Sequence, residues 1–164
     1  MEDNVIDIFQ AAAAGDLKAL ADLLNSHRDS INSFSNEGWT PLHLAAHYGH
    51  LRAAQLLLEF GADPDLRSRN TLDNIPLHAA VAGNHLELVK LLLVREININ
   101  SRQHGGWTAL HGASQNGNLE MVRYLIAHGA EINLANDNGI TALNLAISGN
   151  HLEIIDYLKN NGAK

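Results

Sequence analysis

A chain of 164 residues, 46% hydrophobic but only 5% aromatic, suffices for one ordinary domain whose core must come from Leu, Ile, Val and Ala. A formal charge of −7 argues against a general binder of nucleic acid or anionic membranes, because phosphate contacts depend on clustered Lys and Arg. The absence of cysteine excludes disulfides, thiolate metal sites and a cysteine nucleophile.

In chain order, Met1 to Asn4 is acidic and precedes no long apolar run, so no signal peptide is expected. No segment reaches the roughly 18 apolar residues of a membrane span, and a cytoplasmic location is expected. Val5 to Ala14 reads as a first helix and Leu17 to Ser26 as a second, with Leu17, Leu20, Leu23 and Leu24 as a core stripe at helical spacing. Gly38-Trp39-Thr40-Pro41-Leu42-His43-Leu44-Ala45-Ala46 opens the next helix. The Thr40 hydroxyl can take an orphan N–H, and Pro41 suits the first helical position, where its missing N–H has no intrahelical partner. Leu51, Ala54, Leu57 and Leu58 then line an outer helix that stops at Gly61. The link from Asp65 to Asp73 is two residues longer than that from Asn133 to Gly139, so its hairpin is predicted to protrude. Ile75 stands where Thr40 did and Asp73 where Gly38 did, which removes the local hydroxyl from this start. Asn84 and Asn150 occupy the place of Gly49, and Asn accepts a left-handed backbone better than most residues. Leu119, Val122, Leu125 and Ile126 form a further outer stripe. Ile154, Ile155 and Leu158 precede a polar ending that suits a face meeting water.

These segments repeat. Leu42, Leu77, Leu110 and Leu143 sit in equivalent settings at separations of 35, 33 and 33 residues, and Ile8 extends the series backwards by 34. Such a period signals a stack of units, each too small to bury its own apolar face. Thr40-Pro41-Leu42-His43-Leu44-Ala45-Ala46, Ile75-Pro76-Leu77-His78-Ala79-Ala80, Thr108-Ala109-Leu110-His111-Gly112-Ala113 and Thr141-Ala142-Leu143-Asn144-Leu145-Ala146 resemble the ankyrin repeat. Gly49-His50-Leu51, Gly117-Asn118-Leu119, Gly61-Ala62-Asp63 and Gly129-Ala130-Glu131-Ile132-Asn133 fall at the matching offsets. The resemblance implies an all-α solenoid of stacked helix-turn-helix units with protruding β-hairpin loops. It takes residues 1–164 as a single domain with units of about 4–35, 36–69, 70–103, 104–136 and 137–164.

Ten histidines raise a metal site, above all His43, His78 and His111 at one repeat position. Stacked helices lie roughly 10 Å apart, whereas zinc ligands lie about 2 Å from the ion, so this row cannot chelate one metal. The resemblance implies that these imidazoles bond within and between units. His50, His85 and His151 open outer helices and read as cap or surface residues, and Glu59, Glu87, Glu120 and Glu153 as solvated charge. No Gly-x-Gly-x-x-Gly, phosphate loop or His-Glu-x-x-His occurs. With no convergent acid and base either, no enzyme activity, metal or cofactor is expected.

The resemblance implies binding of another protein through hairpin tips and the exposed side of the inner helices. Carried over position by position, the candidate contacts are Trp39, Arg69, Leu72, Asn74, His104, Trp107 and Ile140 on hairpins, with His47, Tyr48, Gln115 and Asn116 on inner helices. Trp, Tyr and Arg combine large area with a polar handle, the composition of interface hot spots. Structural packing of Trp39 and Trp107 is the plainer alternative, and solvated charge is the plainer account of Arg67, Arg69 and Arg102. The expected function is a non-enzymatic interaction module, monomeric and without nucleic-acid or membrane partners. A small regulatory inhibitor or chaperone-like protein that blocks a partner enzyme is the alternative.

Overall fold

The computed structural model describes residues 7–164, so Val5 and Ile6 at the start of the first predicted helix lie outside the described residues. That helix, α1 (Ile8–Ala14), begins after Asp7, whose carboxylate accepts from the Gln10 N–H at 2.8 Å. Nine more helices follow among the described residues: α2 (Leu17–Ser26), α3 (Pro41–Tyr48), α4 (Leu51–Glu59), α5 (Pro76–Ala82), α6 (Leu86–Leu93), α7 (Ala109–Gln115), α8 (Leu119–Ala127), α9 (Ala142–Ser148) and α10 (Leu152–Asn160). Each odd-numbered helix packs on the even-numbered helix after it and on its odd-numbered neighbours, which makes an inner row of α1, α3, α5, α7 and α9. The inner helices are short and rich in alanine; Ala11, Ala12, Ala45, Ala46, Ala79, Ala80, Ala109, Ala113 and Ala146 are all buried, so their backbones approach closely.

A single apolar cluster runs from Ile8 to Leu158 through Leu42, Leu77, Leu110, Leu125 and Leu143, as expected for units that cannot bury a face alone. Leu20 and Leu24 join it, but Leu17 of the predicted stripe remains 39% exposed. It stands at the first turn of α2.

The loops between pairs are turns closed by one or two bonds rather than extended ladders. Among the described residues there is no strand, only an isolated antiparallel bridge between Ala135 and Thr141. Ser68 and Asn136 donate their N–H to the carbonyls of Asn74 and Ile140, at 2.7 and 2.9 Å, and Gln103 donates to Trp107 at 2.8 Å. Adjacent loops are tied edge to edge, by Arg69 N–H to Gly38 O at 2.8 Å, His104 N–H to Leu72 O at 2.9 Å and Asp137 N–H to Gly105 O at 3.0 Å. The arginines reinforce this row. Arg67 pairs with Asp73 at 2.8 Å and donates to Arg102 O at 2.6 Å, while Arg102 reaches Asp137 at 3.2 Å and Ala135 O at 3.0 Å. They link neighbouring loops.

Outer helices are tied back by imidazoles. His50, His85 and His151 stand at N-cap positions, yet none caps with its side chain. Their Nε2 atoms donate to the carbonyls of Ala13, His47 and Gln115, at 2.9, 3.0 and 3.2 Å, in the preceding pair. The cap reading is thus corrected: the ring leaves its own helix because a carbonyl at the end of the previous inner helix needs a donor. Asp16 before α2 and Asn118 before α8, at the same position, do cap, accepting from Ala19 N–H at 3.0 Å and Met121 N–H at 2.9 Å. Asn84 and Asn150 adopt φ of 62° and 55°, the left-handed conformation predicted for them.

Candidate functional site

Three inner imidazoles fix the ground on which the candidate face rests. His43 Nδ1 takes the Thr40 hydroxyl at 2.8 Å, and His43 Nε2 donates to the Asn74 carbonyl in the next loop at 3.0 Å. His111 repeats this arrangement with Thr108 at 2.8 Å and Ile140 O at 3.0 Å. His78 has no hydroxyl beside it, since Ile75 replaces threonine, but its Nε2 still reaches Ser101 O at 2.9 Å. Burial drives the His43 and His78 pKa values down to about 4, against a smaller upward pull from the carbonyls they face, and burial lowers that of His111 too. Neutral, Nε2-protonated rings satisfy both sides: one nitrogen accepts and the other donates. Among the described residues no group of His, Asp or Glu could hold a metal ion.

Above this layer, the loops and inner helices frame a notch of about 300 Å3. Trp39, Leu72, Asn74 and Trp107 line it from the loops, and His47, Val81, Ala82, Gly112, Gln115 and Asn116 from the helices. Trp39 is half-buried; its indole stands edge-on to the His47 ring, with centroids 5.1 Å apart, and tilted over His43 at 6.0 Å. Trp107 repeats the contact with His111 at 5.8 Å. Both indoles therefore pack on their own helices, as in the structural reading, and also line the notch. Gly112 lets α7 close on α5, since a Cβ there would stand 2.8 Å from Val81 Cγ1. Two polar atoms on these walls are enclosed without a hydrogen-bond partner, Asn74 Oδ1 and His47 Nδ1.

Seven of the eleven residues singled out from the sequence thus meet at one place: Trp39, His47, Leu72, Asn74, Trp107, Gln115 and Asn116. Asn74 departs from its expected setting on a loop tip, being only 3% exposed, because its backbone is clamped between Ser68 and His43. Asn116 donates to Val81 O at 2.8 Å and so also joins α7 to α5. The other four lie outside the notch. Tyr48 is 54% exposed and stands against His47, Arg69 sits 4.0 Å over the Phe34 ring, His104 is exposed, and Ile140 is half-buried with its carbonyl taken by His111. Gln103, Ala79, Val81 and Gly112 also line it and were not picked out by disagreement between repeats; glycine at 112, where Leu44, Ala79 and Leu145 are equivalent, was the available signal.

Stacked helix pairs, turn-closed loops tied edge to edge and a notched inner face define a helical-repeat scaffold. The chain belongs to the ankyrin-repeat family: the model of ankyrin repeats in three copies matches residues 8–103 and again 77–164. Ankyrin repeats are protein-interaction modules. The chain is similar to ankyrin repeat protein FPV024 of Fowlpox virus (strain NVSL), 33% identical over 102 residues, 62% of this chain and 17% of that protein. It is also similar to human transient receptor potential cation channel subfamily A member 1, 35% identical over 101 residues, 60% of this chain and 9% of the channel. Mouse ankyrin repeat and SAM domain-containing protein 6 is 37% identical over 103 residues, 63% of this chain and 12% of its own length. The chain therefore spans less than a fifth of the length of these relatives. No helix among the described residues is long and apolar enough to cross a membrane.

Proposed function

We propose that the chain is a non-enzymatic module that holds a partner protein against its loops and inner-helix face, centred on the notch between Trp39 and Trp107. The observation that carries this reading is the notch itself. Two indoles, Leu72 and Val81 offer apolar area, while enclosed atoms of Asn74 and His47 lack partners on the same walls. Interface energy concentrates in such aromatic, desolvated sites. The same reading takes residues 1–164 as one domain of five units acting as a cytoplasmic monomer, with neither nucleic acid nor membrane as partner.

The test is quantitative capture of the partner by the chain and by Trp39→Ala and Trp107→Ala. Each substitution is expected to weaken capture while the helical circular-dichroism signal stays as in the wild type. Undiminished capture by both variants places the binding surface elsewhere.

A further inference from the structure

The loops that lead into α3, α5, α7 and α9 share one plan, and the second departs from it. Ser35, Gln103 and Asn136 each donate an N–H to a carbonyl four residues on, that of Trp39, Trp107 and Ile140, whereas Ser68 donates to Asn74, six residues on. The residue before the closing position is Gly38, Gly106 or Gly139 in the short loops, with φ of 76°, 76° and 75°. In the long loop it is Asp73, with φ of 45°. A non-glycine residue in the left-handed region costs stability and persists only where its surroundings hold it there. Arg67 is the holder. Its Nε donates to Asp73 Oδ1 at 2.8 Å, and its Nη2 to Asp73 Oδ2 at 2.9 Å and to the Asp73 carbonyl at 2.6 Å.

Joining neighbouring loops does not require this pair. Arg102, at the place equivalent to Arg67, donates to Ala135 O in the next loop at 3.0 Å, just as Arg67 donates to Arg102 O at 2.6 Å, yet its carboxylate partner Asp137 lies in that next loop. The Asp73 carboxylate therefore adds a lock within a single loop. Inside the lock, Asn70 Oδ1 accepts from the Ser68 hydroxyl at 2.9 Å and the Leu72 N–H at 3.0 Å, and Asn70 Nδ2 donates to Glu37 O at 3.0 Å. The residue so held is Leu72, 43% exposed and one wall of the notch. Stability alone does not explain the arrangement. Both partners of the pair are half-exposed, so their attraction adds little to folding, and glycine would suit the backbone at 73 better while leaving the bond from Arg67 to Arg102 O in place. We propose that Arg67 and Asp73 are positioning residues of the partner-binding face, whose ion pair sets the long loop and Leu72 in their bound arrangement before the partner arrives. This rests on the protein-binding reading above and names what shapes that face. A side chain ordered in advance loses less entropy on binding.

The experiment compares the whole chain with Asp73→Gly and Asp73→Asn by three readouts: NMR relaxation of the Leu72 methyl groups, the urea midpoint, and calorimetric affinity for the partner protein purified after capture from the source cell. Asp73→Gly is expected to leave the urea midpoint near the wild-type value, to raise the fast mobility of the Leu72 methyls in the free chain, and to weaken affinity about three- to tenfold, the cost of ordering one side chain on binding. Asp73→Asn tolerates the left-handed backbone and keeps an acceptor for Arg67 without the charge, so its affinity should lie between the two. Sodium chloride at about 1 M screens an exposed pair, and the ratio of wild-type to Asp73→Gly affinity should shrink towards one. The positioning role is overturned if Leu72 is as ordered in Asp73→Gly as in the wild type, or if the affinities are equal. A lowered urea midpoint with unchanged affinity also overturns it, since the pair then serves folding alone. Equal affinity in Asp73→Gly with weakened binding by Trp39→Ala or Trp107→Ala removes the positioning role and leaves the notched face standing. Weakened binding and a mobile Leu72 in Asp73→Gly, with both tryptophan variants unchanged, removes the notch as the centre of binding and keeps the role of the pair.

Discussion

At the scale of single residues, His43 and His78 hold two neighbouring loops in place only while neutral. Protonation would put a second donor at Nδ1, where the backbone N–H of Thr40 or Ile75 already points at 3.4 Å. Their folded-state pKa values, about 4, lie below the ordinary 6.5. The neutral form is therefore favoured by folding, so the stabilisation is complete above pH 6.5 and is lost as the pH falls towards 4. Each imidazole contributes about 2–3 kcal/mol to that slope. The urea midpoint should drop between pH 6.5 and 4.5, and the drop should shrink in His43→Gln. Asp73, lowered by Arg67, adds its own loss only below the ordinary carboxylate range. A midpoint flat from pH 7 to 4.5 would contradict this role. The histidine row was legible because its spacing forbids a shared metal and the ankyrin resemblance implies bonds within and between units. The direction of Asn74 was not, since nothing local says that a loop residue is clamped from both sides by Ser68 and His43.

At the scale of elements, the contact between one pair's turn and the next pair's histidine decides which glycines are indispensable. Gly49 has φ of 84°, and a Cβ there would come within 2.5 Å of the His85 ring, which needs that space to reach His47 O. Gly61 has φ of 99° and nothing within 4 Å of such a Cβ. Gly61→Ala should therefore cost only backbone strain, about 1–3 kcal/mol, and Gly49→Ala distinctly more. Adding His85→Ala to Gly49→Ala should recover the difference, a coupling that a double-mutant cycle in urea measures. Equal costs for the two glycines would show that the ring is not the constraint. The Thr-led helix starts, the Asn84 and Asn150 turns and the outer stripes, Leu17 excepted, were readable from local chemistry. The histidine ties were missed, because His50 and His85 precede helices and look like caps, whereas their acceptors lie 37 and 38 residues earlier.

At the scale of the whole molecule, the continuous core makes a local deletion a global loss. Leu110 is 2% exposed in the middle of the stack, and Leu110→Ala should lower unfolding free energy by roughly 2–5 kcal/mol. Urea unfolding followed by both circular dichroism and tryptophan fluorescence should shift by the same amount. Separate transitions for the two signals would mean that the pairs do not share one core. The 33-residue period made the stack visible in sequence, and disagreement between repeats marked most of the inner face. The notch itself was hidden. It depends on Asn74, Ala82 and Gly83 being jointly smaller than what flanks them, which matters only once the pairs are side by side.

The claim on which the functional account turns is that this notched face binds a partner protein. The measurement is calorimetric titration of a purified partner, first identified by capture from the source cell, into wild type, Trp39→Ala/Trp107→Ala, and Leu152→Ala, whose side chain is 65% exposed on α10. The double substitution is expected to weaken affinity by at least about 2 kcal/mol, some thirtyfold, while Leu152→Ala changes nothing. An unchanged affinity in a double variant that retains the wild-type helical signal would contradict it.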